Sequence, residues 1–139
     1  MKNNKGFSLV ELIIVIAIMA VLIGVLAPQY LKYVEKSRVS SDETAIADVR
    51  NAMVNSLADE AVYSNVESGA TVSIDCNNGT LSGSTALLNA VTSVTGTSIK
   101  LGSKTYKKNS TITFQATFTP SDMKWTVTSF EEATAGFKS

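Results

Sequence analysis

KGFSLVELIIVIAIMAVLIGVLAP, residues 5–28, is the stretch on which the reading of this chain turns. Every residue from Leu12 to Ala27 is apolar or Gly, and Phe7, Leu9 and Val10 extend the run. As a helix, Phe7–Ala27 would be about 30 Å long, the thickness of a hydrocarbon core. A chain of 139 residues has no interior large enough to hide a helix that is apolar on every face. The run therefore predicts a membrane segment. Its one charge is Glu11, and an ionised group costs about 3 kcal/mol at the bilayer centre, less near an end. A lone anchor would tolerate Glu11 at headgroup depth, where the helix dipole favours an anion. A stronger account needs a positive partner at the same depth, and the run offers none within helical reach. Cutting the chain between Gly6 and Phe7 would make one: an α-amino group with a pKa near ~8, largely protonated at neutral pH, which on one chain can pair with Glu11 of another.

The front end, MKNNKG, supplies two basic residues, Lys2 and Lys5. That resembles the start of a secretory signal, but a cleavable signal has an apolar region of only about 7–15 residues before a small-residue cut site. Here the run is longer, and Ala27 is followed at once by Pro28. The run is expected to stay in the mature protein. Pro28 has no N–H for the carbonyl of Gly24, itself a weak helix former, so a kink is expected there.

Composition narrows the chemistry. Twelve basic and twelve acidic residues give zero net charge, so nothing in the overall charge favours nucleic acid or an acidic partner. There is no His and only one Cys, Cys76, which removes the commonest general base and metal ligand and any intrachain disulfide. No phosphate loop, Cys/His cluster or nucleophile–base pair appears, so no enzyme activity, cofactor or metal is expected. Asp42/Glu43 and Glu131/Glu132 read as solvated surface charge, and Cys76 as a buried or idle thiol. Asn78-Gly79-Thr80 and Asn109-Ser110-Thr111 match the N-glycosylation pattern, which recurs by chance in a Ser/Thr-rich chain.

The sequence KGFSLVE ahead of a long apolar run resembles the processing motif of type IV pilins and their pseudopilin relatives. The likeness covers about residues 5–36. It implies cleavage by a prepilin peptidase between Gly6 and Phe7, N-methylation of Phe7, and a role for Glu11, the fifth mature residue, in recruiting subunits into a filament. It also implies that the segment before Pro28, from about Ala20, loses helicity in the fibre, and that one helix runs from Phe7 to about Tyr63, roughly 85 Å. Many Gram-negative members close a C-terminal loop with two cysteines. The single Cys76 departs from that pattern and points to a Gram-positive source.

Beyond Pro28, Ile46, Val49, Met53, Leu57 and Ala61 recur at helical steps and make one apolar face. Ser40 with Glu43 would suit a capping box opening a new helix, the alternative to an unbroken one. Tyr30, Tyr33, Lys32, Lys36 and Arg38 suit a membrane interface belt. TVSID (71–75) alternates, Asn78-Gly79 suits a tight turn, and STALLNAVTSV reads as a short helix or an irregular segment. TSIKL, SKTYKK, STITFQATFTP and MKWTVTSF read as further strand, with Ile112, Phe114, Ala116 and Phe118 on one face and a turn at Pro120.

The expected fold is α+β: a long N-terminal helix, half membrane-embedded and half amphipathic, packed on an antiparallel sheet of three or four strands. The expected divisions are 1–6 (cleaved leader), 7–28 (transmembrane and filament-core helix), 29–63 (amphipathic helix) and 64–139 (globular head). The resemblance implies a structural subunit, a major pilin, of a type IV pilus serving adhesion, aggregation or twitching motility. Subunits would wait in the cytoplasmic membrane with the head outside. An assembly ATPase and membrane platform would then extract them into a helical homo-oligomer at the cell surface, with minor pilins as possible companions. Two alternatives stand beside it. One is a pseudopilin of a secretion or DNA-uptake machine, whose major forms tend to carry calcium near the C-terminus, where this chain has only Asp122, Glu131 and Glu132. The other is a single-pass anchored binding domain that never assembles.

Overall fold

The computed structural model describes residues 6–106 and 110–137. The chain divides into two compact units, Met1–Glu35 and Lys36–Ser139. Helix α1 (Leu9–Ser56) begins in the first and ends in the second. In the first unit every large apolar side chain from Phe7 to Leu26 is at least 50% exposed. This is a helix long and apolar enough to cross a membrane by length and composition. α1 continues through Pro28, where the missing N–H leaves the Gly24 carbonyl without its usual donor. It also continues through Ser40 and Glu43, so no new helix starts there. The Thr44 hydroxyl donates to the Ser40 carbonyl at 3.0 Å, which occupies a backbone acceptor inside the helix.

The second unit holds the core. Ile46, Val49, Ala52 and Met53 from α1 are buried, as their three- and four-residue spacing requires. They pack with Val72 and Ile74 of β1 (Thr71–Asp75) and with Ile112, Phe114 and Ala116 of β3 (Thr111–Thr119). Burying each large side chain is worth about 1.5–3 kcal/mol, so this layer outweighs any helix propensity along α1. The helix stops at Ser56, and a short α2 (Glu60–Tyr63) follows. The break has a local cause: Asp59 Oδ1 accepts the Ala61 N–H at 3.0 Å and so caps a separate helix. The unbroken helix to Tyr63 is thus interrupted, and Ala61 of the apolar series is exposed.

The sheet is antiparallel, in the order β2-β1-β3-β4, with β2 at Leu81–Gly83 and β4 at Lys124–Val127. Helix α3 (Thr85–Thr95), the region left open between helix and loop, joins β2 to the strand beyond and buries Leu87 and Val91. In β3 the alternation is as expected: Ile112, Phe114 and Ala116 face the core while Thr111, Thr113, Gln115 and Thr117 are exposed. A turn at Pro120 closes on Asp122, whose N–H donates to the Thr119 carbonyl at 3.3 Å.

The β1–β2 connection depends on Gly79, whose φ is +75°. A Cβ there would collide with the Ile99 carbonyl oxygen, and the Ile99 N–H already donates to the Gly79 carbonyl at 2.9 Å. Gly79→Ala is expected to lower stability by about 2 kcal/mol, from left-handed strain plus displacement of the Ile99 backbone. A shift of the urea midpoint with unchanged slope would register it.

Among the described residues two expected strands are absent. Residues 97–101 make only the isolated bridge Thr80↔Ser98, and 103–106 form a bend, with 107–109 outside the described residues. The junction of the two segments is held by Asp42, expected at the surface but 1% exposed. Its Oδ1 accepts the Gly102 N–H at 2.7 Å and its Oδ2 the Ser103 N–H at 2.8 Å. A carboxylate on α1 therefore takes the Gly102 and Ser103 donors, and within 97–101 the Ile99 N–H goes to the Gly79 carbonyl. Glu43, beside it, is half-buried and accepts the Tyr106 hydroxyl at 3.4 Å.

Burial of the Tyr106 ring, and next the Glu43 charge, push its hydroxyl from the usual 10.0 up to about 12. The folded value lies above the unfolded one, so Tyr106 supports the fold fully below pH ~10 and ceases to as pH rises through ~12. Alkaline unfolding in that window is expected to move to higher pH in Tyr106→Phe, which has no proton to lose. Circular dichroism against pH would record the shift.

Candidate functional site

The first turn of α1 gathers the residues singled out from the sequence. Gly6, Phe7 and Ser8 precede the helix in irregular, exposed backbone, and nothing lies within 4 Å of a Cβ built on Gly6. The Gly6–Phe7 bond is therefore open to another molecule on the side where Gly6 lacks a side chain. Phe7 is 93% exposed. Just beyond, Ser8 and Glu11 form a reciprocal cap. The Ser8 N–H donates to Glu11 Oε2 at 2.8 Å, and Ser8 Oγ accepts the Val10 N–H at 3.3 Å. Two of the N–H groups that a helix start leaves without partners are thereby satisfied. Ser8 was not among the residues expected to matter, although the S-x-x-E signature was legible in SLVE.

Glu11 thus sits with one oxygen engaged by its own backbone and with the positive end of the helix dipole beneath it. This arrangement holds the carboxylate against the backbone one residue beyond Phe7. Gly24 and Pro28 lie one turn apart further along α1, and nothing crowds Gly24. Lys2 and Lys5 lie outside the described residues, as does Asn109 of the second glycosylation pattern. In the first pattern, the Asn78 side-chain oxygen accepts both the Thr80 N–H and the Thr80 hydroxyl, at 2.9 and 2.6 Å.

In the second unit Cys76 is a free, fully buried thiol, and burial pushes its pKa up, away from the reactive thiolate. Among the described residues no three His, Cys, Asp or Glu side chains converge as metal ligands would.

Comparison with known proteins falls on the same N-terminal region. Residues 1–27 match the family described as the prokaryotic N-terminal methylation motif. The class is thus a chain with a methylation-motif N-terminus, a long apolar helix and an α+β head. Type IV major fimbrial protein FimA of Dichelobacter nodosus is 39% identical over 56 residues, covering 40% of this chain and 36% of that one. Prepilin peptidase-dependent protein A of Clostridium perfringens is 34% identical over 67 residues, covering 47% and 48%. A fimbrial protein of Pseudomonas aeruginosa is 36% identical over 52 residues, covering 37% and 34%. The chain spans between a third and a half of the length of these relatives. No solved structure matches it. The motif, the fimbrial relatives and the helix-on-sheet fold together support its recognition as a type IV pilin.

Proposed function

We infer that this chain is a structural subunit, a major pilin, of a type IV pilus. A prepilin peptidase cuts the Gly6–Phe7 bond, residues 1–6 leave with Lys2 and Lys5, and the new Phe7 terminus is methylated. Residues 7–28 then hold the subunit in the cytoplasmic membrane until an assembly ATPase and platform draw it into a surface filament. The observation that carries this reading is the first turn of α1: an exposed Gly6–Phe7 bond directly ahead of a carboxylate anchored by the Ser8 N–H. The exposed run from Phe7 to Leu26 adds a second support, since apolar surface leaving lipid must meet other apolar surface. In the filament the cationic terminus of one subunit compensates Glu11 of another, which favours a single register. Without a donor from Pro28, the backbone at Gly24 is where the helix loosens under load.

Mass spectrometry on material sheared from the cell surface tests this. The expected result is an abundant peptide beginning with N-methylated Phe7. A processed terminus confined to the membrane fraction would support a pseudopilin instead, and an intact Met1–Gly6 segment would support an anchored domain that never assembles.

A further inference from the structure

The zero net charge of the chain conceals a local excess of hydrogen-bond donors. In the second unit an open groove of about 540 Å³, within the ~300–1,000 Å³ usual for small-molecule sites, lies between α1, the β1–β2 turn and the 98–102 strap. Arg38 and Lys100 stand on its rim, with Asn77, Asn78, Ser41 and Ser98 along its walls. Among the described residues neither Arg38 nor Lys100 has a carboxylate partner. The nearby acids are already engaged: both Asp42 oxygens accept backbone N–H groups, and Asp75 Oδ1 accepts the Asn77 N–H at 2.9 Å. Asp48 lines the adjoining groove, on the other side of Lys100. Thr80 occupies the Asn78 side-chain oxygen, so the Asn78 amide presents its N–H₂. What remains open to solvent is a guanidinium, an ammonium, two carboxamides and two hydroxyls.

We propose that this groove binds an acidic oligosaccharide, with Arg38 and Lys100 on its carboxylate or phosphate groups and the Asn and Ser side chains on its ring hydroxyls. Charged acceptors draw the strongest hydrogen bonds from such donors, and Arg holds a carboxylate through two parallel ones. Among the described residues no aromatic ring lines the groove, so the base stacking that holds single-stranded nucleic acid has no platform there.

The test uses the whole chain in detergent micelles, titrated calorimetrically with a galacturonic acid tetramer, its neutral methyl ester, inorganic phosphate and a short single-stranded oligonucleotide. The proposal expects saturable binding of the acidic tetramer that weakens with salt, and weaker binding of the other three. R38Q/K100Q is expected to reduce affinity by at least about tenfold, while K124Q, on β4, leaves it unchanged. Unchanged affinity in R38Q/K100Q, or equal binding of the ester, of phosphate or of the oligonucleotide, would overturn it. Neither cleavage nor assembly enters this experiment, so its result is separate from the pilus reading.

Discussion

Glu11→Ala is expected to abolish surface filaments while cleaved subunit still accumulates in the membrane. In the proposed filament the Glu11 carboxylate faces the amino terminus of a neighbour inside an apolar bundle. Removing one partner of a buried ion pair costs about 3–5 kcal/mol, a hundredfold or more at each subunit addition. Insertion has no such dependence, because the apolar residues from Leu12 to Ala27 drive it and the substitution removes a charge from the bilayer. The proposed pairing has to be separated from a second feature of Glu11, which also accepts the Ser8 N–H. Glu11→Gln retains an oxygen for that cap and loses the charge, and it should fail to assemble as Ala does. Immunoblots of sheared and membrane fractions read both outcomes. Normal filament yield from Glu11→Ala would end the pairing account, and normal yield from Gln alone would assign the role to the cap.

The second large effect belongs to Asp42. Asp42→Ala leaves two backbone N–H groups, on Gly102 and Ser103, without the carboxylate that now accepts both. Hydrogen bonds to a charged group are worth about 1.5–3 kcal/mol each, so a loss of roughly 3 kcal/mol is expected. For a unit of this size that lowers Tm by about 10 °C or more. The emission of Trp125, the one tryptophan in the chain, reports unfolding. Asp42→Asn is expected to cost less, since its amide oxygen still accepts one N–H. A Tm unchanged in the Ala variant would mean that the strap from residue 97 to 106 is held by its apolar contacts, Leu101 and Tyr106, and that the carboxylate adds nothing.

The helix and three of the four strands were legible because periodicity reports burial directly. Ile46, Val49 and Met53 recur at helical steps, and Ile112, Phe114 and Ala116 at every second residue, and all six are buried. The N-terminal segment stood out for a different reason: one charge in a long apolar run has few physical explanations. Three features were missed. Asp42 lies four residues before Ile46, on the same stripe, but composition alone assigns a carboxylate to water, and its partners sit about sixty residues away in the chain. The segments 97–101 and 103–108 carried strand-like residues, yet the first makes only the isolated bridge Thr80↔Ser98 and only part of the second is described. Long-range side-chain to backbone bonds leave no periodic trace. Ser8 was a different kind of miss, because its signature was present and local.

The strand order has a consequence in time. β1 lies between β2, reached through the short 76–80 turn, and β3, which arrives only after the whole of α3 and the strap. Closing a short loop costs less conformational entropy than closing a long one, so the β1–β2 hairpin pairs early and the β1–β3 seam late. Until residue 119 has joined, β1 presents an open edge and the inward side chains Val72 and Ile74 have no cover from Ile112 and Phe114. Cys76 is accessible over the same interval and is sealed when the seam closes. The vulnerable period of this head, to aggregation and to oxidation alike, is therefore its maturation and not its service.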